Sequence, residues 1–320
     1  MIFSHLILMV IHKAYARFTF AHAYSKPVCE RDPDVASAWI IDLLNDPEPK
    51  MIARFGSTEL VCLENTYGMR NSKASIFGYV KGMCLPWWRN ENIAEQMQKW
   101  SGFFPITNDA LERFYDVMLK DISLVDLLGS WLPQERLFAK ELGTSKKVDL
   151  ELLNPYFSKI PWTHALAGKK VLVIHPFAST IESQYLKKDQ IFPNGLLPDF
   201  ELKTIKAVQS LGGEKTPYET WFDALDAMKY AMDAIDYDIA LIGCGAYGFP
   251  LAAHAKRRGK KGFHIGGSLQ LLFGIRGKRW ENPDYNPVYD FSKLMNEYWV
   301  KPGETERPKN ADKVEGACYW

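Results

Sequence analysis

Five cysteines are scattered through the chain, Cys29, Cys62, Cys84, Cys244 and Cys318, with no C-x-x-C pair and no histidine at metal-ligand spacing. Such usage indicates neither a disulfide scaffold nor a zinc site, and it fits a reducing, cytoplasmic compartment. An excess of one charge is also missing, since 39 basic residues face 38 acidic ones and leave a net charge of +1. The chain therefore has no global field for capturing DNA or RNA, and no nucleic-acid partner is expected. Long apolar runs are absent as well. Residues 1–18, MIFSHLILMVIHKAYARF, are apolar for about a dozen positions, where a membrane span needs roughly 20. They also lack the basic region that opens a signal peptide. Residues 1–24 read as a helix packed on the core or a tail outside it, with a shallow membrane contact at the inner face as the alternative, Lys13 and Arg17 then facing headgroups. Internal repeats and low-complexity tracts are not found.

What is present is enough apolar material for a large core. The 320 residues are 47% hydrophobic and 13% aromatic, sufficient for one big domain or two lobes. Helical spacing runs through residues 34–44, with Asp34 as the N-cap candidate, and again through 57–61, 91–100 and 109–120. Residues 49–56 read as a strand stopped by Gly56, and 123–128 as another. After Pro161 strands and helices alternate regularly. Strands are expected at 170–174, 200–208, 239–242 and 263–265, and helices around 181–186 and at 219–234. Alternation of this kind is the mark of an α/β fold, a Rossmann-like parallel sheet flanked by helices, here with a helix-rich N-terminal part. Four portions follow: an apolar segment (1–30), a part carrying residues 54–59 (31–160), a Rossmann-like nucleotide-binding part (161–280), and a C-terminal helix near 290–298 with a tail loosely attached from Lys301 (281–320).

The densest signal is DIALIGCGAYG at 238–248, an apolar strand running into a G-x-G-x-x-G loop ahead of a helix. Glycines there let the backbone turn tightly and present N–H groups to a phosphate. A dinucleotide site also needs an acid about 20 residues after the first glycine. The corresponding strand, 261–267, reads KGFHIGG and has none, which argues against a nicotinamide cofactor.

In an open parallel sheet ligands bind beyond the carboxyl ends of the strands. Three such ends carry glycine or polar loops, at 175–180, 243–248 and 266–270. From them come the candidate nucleotide-binding residues His175, Ser179, Thr180, Gly243, Gly245, Tyr247, Gly248, Gly267 and Gln270. His175 and His264 read more readily as hydrogen-bonded structural residues, and Ser179 and Thr180 equally well as plain helix caps. Arg276, Lys278 and Arg279 form a basic group beside Trp280, suited to a diphosphate with a base or sugar stacked on the indole. A second candidate site is Arg54-Phe55-Gly56-Ser57-Thr58-Glu59, a strand end followed by an acid at a helix start, where Glu59 can hold a hard divalent ion or a sugar hydroxyl.

The 54–59 segment resembles the R-[FY]-G-D-G-E motif of the GT-D-type glycosyltransferases, a bacterial family. VLVIHPF, DIALIGCGAYG and GGSLQLLFGIRGKRW extend the similarity over roughly residues 35–280. The resemblance implies an enzyme moving a sugar from a nucleotide donor, typically a UDP-sugar, to a glycan acceptor in polysaccharide biosynthesis, with a divalent metal (Mn or Mg) bridging the donor diphosphate. Carried over, it implies Glu59 as metal ligand and catalytic residue, Arg54 as a catalytic residue, and Gly56 and Ser57 at the donor. Ser57 stands where the family has its first acid, and a neutral hydroxyl lacks the charge that anchors such an ion. Without a metal, Arg276, Lys278, Arg279 and helix N-termini can stabilise the departing diphosphate. Glu59, Glu182, His175 and Asp223 remain open as the base. Two other readings stand beside this one: a non-catalytic nucleotide- or glycan-binding member, supported by Ser57, and a Rossmann oxidoreductase.

Overall fold

Among the described residues seven strands form one sheet, and all of them pair in parallel. They are β1 (Met51–Arg54), β2 (Leu127–Ser130), β3 (Lys146–Asp149), β4 (Lys170–His175), β5 (Glu201–Lys206), β6 (Ile239–Ile242) and β7 (Lys261–His264), in the spatial order β3-β2-β1-β7-β6-β4-β5. This is a computed structural model, and it describes residues 2–19, 25–307 and 319–320. The α/β expectation holds, with one addition: three strands from the portion before residue 160 share the sheet. The two parts meet where β1 pairs with β7 through Ile52 and Phe263.

Central strands are buried on both sides, which is why β4 (KVLVIH) and β6 (IALI) are apolar without alternation. The edge strand β5 (ELKTIK) keeps charged side chains at its exposed positions, which discourages pairing with another chain.

Among the described residues twelve helices surround the sheet or pack on its outer layer: α1 (Ile2–Thr19), α2 (Pro33–Asn45), α3 (Ser57–Asn71), α4 (Ile76–Val80), α5 (Glu91–Ser101), α6 (Asn108–Ile122), α7 (Ala139–Leu142), α8 (Ala178–Tyr185), α9 (Lys188–Ile191), α10 (Trp221–Asp233), α11 (Gly248–Arg257) and α12 (Lys278–Glu281). Successive strand residues point to opposite faces. Met51, Ala53, Leu172, Ile174, Ala240 and Ile242 pack under α3, α5, α6, α10 and α11. Ile52, Val171, Val173, Ile239, Leu241 and Phe263 pack on the other side against α2, α8 and the C-terminal segments. Among the described residues no helix is long and apolar enough to cross a membrane.

Local chemistry moved several boundaries. The N-cap of α2 is Asp32, whose carboxylate accepts from the N–H groups of Asp34 (2.8 Å) and Val35 (3.3 Å). Asp34 lies inside the first turn. β2 begins at Leu127 because Asp126 closes the preceding turn, taking the Met51 N–H at 2.7 Å and Lys256 Nζ at 2.7 Å. The helix expected at 290–298 shrinks to one 3₁₀ turn, Phe291–Leu294. Asn296 is drawn away to donate to the carbonyls of Gln190 (3.1 Å) and Ile191 (3.2 Å). The tail is not loosely attached in its described parts, since Glu306, Tyr319 and Trp320 all pack on the body. The rest of it lies outside the described residues.

Candidate functional site

Where the carboxyl ends of β1, β4, β6 and β7 open, a crevice of about 340 Å³ is lined by the 54–59 segment, His175, Gly243, Gly245, Tyr247, Gly267, Gln270 and Arg279. The strand-end loops thus converge with the front motif, although more than a hundred residues separate them.

β1 delivers Arg54 at its last position and α3 starts at Ser57, so Glu59 falls in the first turn of the helix. Gly56 is the N-cap and offers no side chain to the helix end. Glu59 folds back over it, close enough that a Cβ on residue 56 would lie 1.7 Å from Oε2. An acid there is favoured by the positive end of the helix dipole. The Arg54 guanidinium lies 5.4 Å from the Trp131 ring centroid, and Trp131 Nε1 donates to the Phe55 carbonyl at 3.0 Å. Arginine and indole therefore share one orientation.

Both strand-end histidines are structural. The Phe177 N–H donates to His175 Nδ1 at 3.0 Å, while His264 Nδ1 donates to the Ile242 carbonyl at 3.2 Å. Burial pushes each pKa down to about 3, with Arg54 adding to the effect at His264. Both rings are neutral near pH 7, and His175 is too weak a base to take a hydroxyl proton. Tyr247 is buried too, stacked on Trp221 with centroids 5.0 Å apart. Because Ser210 Oγ gives its proton to the Gly102 carbonyl (2.6 Å), the Tyr247 hydroxyl donates to Ser210 at 3.3 Å. Burial raises the thiol of Cys244, which also lines the crevice.

Five expected ligand residues, Gly248, Ser179, Thr180, Arg276 and Lys278, make other contacts or face away from the crevice. Gly248 starts α11 against His264, where a Cβ would fall 2.2 Å from the ring; its role is close packing. Ser179 and Thr180 do expose helix N-terminal amides, but an internal carboxylate occupies them. Glu306, buried, accepts from the N–H groups of Ser179 (2.8 Å) and Thr180 (3.4 Å) and from the Thr180 hydroxyl. Helix α8 has no capping side chain of its own, so the acid supplies what a phosphate would. The basic group splits, because Arg276 precedes α12 while Lys278 and Arg279 are consecutive helix residues and point different ways. Arg279 lines the crevice with its guanidinium 5.0 Å from the Tyr319 ring centroid. Lys278 faces solvent, Arg276 sits near Glu281 at 3.8 Å, and Trp280 is buried in the core instead of offering its face.

Gln270 is fully buried, and its amide nitrogen donates to the carbonyls of Ile275 (3.3 Å), Arg276 (3.1 Å) and Tyr319 (3.2 Å). Its Oε1 is buried without a hydrogen-bond partner among the described residues, so the contacts that hold Gln270 in the crevice wall run through its amide nitrogen.

The aromatic rim escaped the sequence reading. Trp100, Trp131, Tyr285, Tyr319 and Trp320 all line the opening, with Trp131 36% and Trp100 37% exposed. Only Trp131 carried a usable signal, being the residue directly after a strand end.

As for a metal, Glu59 is the single carboxylate among the lining residues, and no three His, Cys, Asp or Glu side chains converge among the described residues. These donors do not form a cage by themselves; Glu59 would hold a Mg²⁺-type ion together with substrate phosphates and waters, which supply most of such an ion's oxygens. No family model matches the chain, and no curated protein or solved structure matches it significantly.

Proposed function

We propose that the crevice binds a nucleotide sugar and that the chain transfers its sugar to a hydroxyl of a glycan acceptor. The observation that carries this reading is the convergence of Arg54, Glu59 and Arg279 with glycine-bearing strand ends under an aromatic rim. The rim offers planar faces to a base or a pyranose ring. Two arginines on the wall suit a diphosphate.

In the reaction the acceptor oxygen bonds to the anomeric carbon, the bond from that carbon to the diphosphate oxygen breaks, and the nucleoside diphosphate leaves with the electron pair. Arg54 and Arg279 offset the charge that builds on it. Of the four candidate bases, Glu182 is engaged by the Thr204 hydroxyl outside the crevice and Asp223 caps α10 through Thr220. Glu59 is the candidate that is both a carboxylate and on the crevice wall, so it takes the acceptor proton.

Calorimetry with UDP-, GDP-, CMP- and dTDP-sugars, with and without manganese, tests the reading. Saturable binding of one donor, weakened at least tenfold in Arg279→Glu, is expected. No heat with any donor in either condition would overturn it. Ser57 specifically favours the binding-only alternative, which donor binding without turnover would select. A gain of metal-dependent donor hydrolysis in Ser57→Asp would show that catalysis lacks only the acid.

A further inference from the structure

Helix α1 is apolar on the side that faces away from the protein. Its inner face is fixed: His5 stacks on Trp88 at 4.4 Å, His12 stacks on Tyr79 at 4.9 Å, and His12 Nδ1 donates to the Tyr79 carbonyl at 2.8 Å. At 100° per residue the opposite side carries Ile7, Val10, Ile11, Ala14 and Phe18, with Leu6, Lys13 and Arg17 along one edge. Val10 is 67% and Phe18 83% exposed. A helix facing water carries polar residues there instead. α4, on which α1 packs, extends the apolar surface with Ile76, Phe77 and Met83, and Lys81 lies 4.1 Å over the Phe77 ring.

Charge decides what such a surface fits. Residues 2–19 and 72–84 contain Lys13, Arg17, Lys73 and Lys81 and not one Asp or Glu. Exposed apolar side chains on two segments that carry cations and no acid match an anionic bilayer surface, where the former enter the acyl boundary and the latter meet headgroup phosphates. A second copy of the same face would bring like charges together. We infer that α1 and α4 form a docking face for anionic phospholipid membranes, with α1 lying in the interfacial plane. The face is already folded on the body, so binding does not have to order it. α1 shares a hollow of about 260 Å³ with α3, lined in part by His12, Ala16, Val61 and Glu64. Docking therefore holds Glu59, in the first turn of α3, one helix from the lipid.

Co-sedimentation of the full chain with phosphatidylcholine vesicles, with and without phosphatidylglycerol, tests this face independently of any donor. The wild type should pellet with the phosphatidylglycerol vesicles alone and be released by high salt. Val10→Asp with Phe18→Asp, and separately Lys13→Glu with Arg17→Glu, should each lower partitioning at least about tenfold with an unchanged thermal melt, since all four positions are exposed. Two outcomes would overturn the proposal: equal partitioning of wild type and both variants, or no vesicle binding together with a wild-type dimer that Val10→Asp and Phe18→Asp dissolve.

Discussion

Gly56 leaves room for one carboxylate oxygen, and the site depends on that space. With Oε2 of Glu59 1.7 Å from where a Cβ would sit, Gly56→Ala must push the carboxylate off the helix end while leaving β1 and α3 intact. Turnover of the bound donor should fall in Gly56→Ala and drop by about 10²–10⁴ in Glu59→Gln, with calorimetric donor affinity retained in Glu59→Gln. Full turnover in Glu59→Gln would remove that residue from the chemistry. A second consequence concerns pH. His175 and His264 titrate at about 3 when folded against 6.5 ordinarily, so the unfolded chain binds protons that the native state refuses. Stability must then fall as pH drops from 6.5 towards 3. Asp121 works the other way: burial beside Arg257 raises it to about 6, so its contribution is full below 3.8 and lost as pH rises through 6. Burial raises Glu64 and Glu151 in the same direction. Urea midpoints measured between pH 6.5 and 4 should therefore decline more steeply in Asp121→Asn than in the wild type. Equal slopes would deny Asp121 its raised pKa. At this scale the sequence showed residue types better than duties: strand-end position exposed Arg54 and Glu59, whereas the burial that silences His175 and the split of Arg276, Lys278 and Arg279 arise from packing.

Among the elements, α8 shows how a site-like feature can be consumed internally. Its first turn offers amides and a hydroxyl, and Glu306 occupies them from a polar stretch that resembled a detached tail. Nothing local marks that pairing, because Glu306 and its neighbour Glu304 sit among Lys, Pro and Thr without periodicity. Glu306→Ala leaves buried donors unpaired and should cost about 1–3 kcal/mol in urea unfolding. Sulfate should raise the melting temperature of that variant more than that of the wild type, by refilling the position. If sulfate acts equally on both proteins, the α8 end is not an anion site. The strands were more readable than their limits, since apolar runs set where β4 and β6 lie while side chains such as Asp126 set where β2 starts.

Taken whole, the molecule is organised by a single sheet, which makes its two sequence halves one cooperative structure. β1 pairs with both β2 and β7, and Met51 and Ala53 share a core with Leu172, Ile174 and Ala240. Denaturant transitions followed by tryptophan fluorescence and far-UV circular dichroism should coincide. Separated midpoints would mean that the portions before and after residue 160 unfold on their own. The sheet's carboxyl edge was legible because glycine loops end apolar strands; the aromatic rim, Trp131 apart, was not, because Trp100 at the end of α5, Tyr285 and Trp320 are distant in sequence and share no pattern. The Glu306 contact also imposes an order in time. Ser179 precedes its carboxylate by 127 residues, so during synthesis the amides of α8 leave the ribosome long before the acid does. α8 therefore gains this cap only after the segment carrying Glu306 has been synthesised and docks on it.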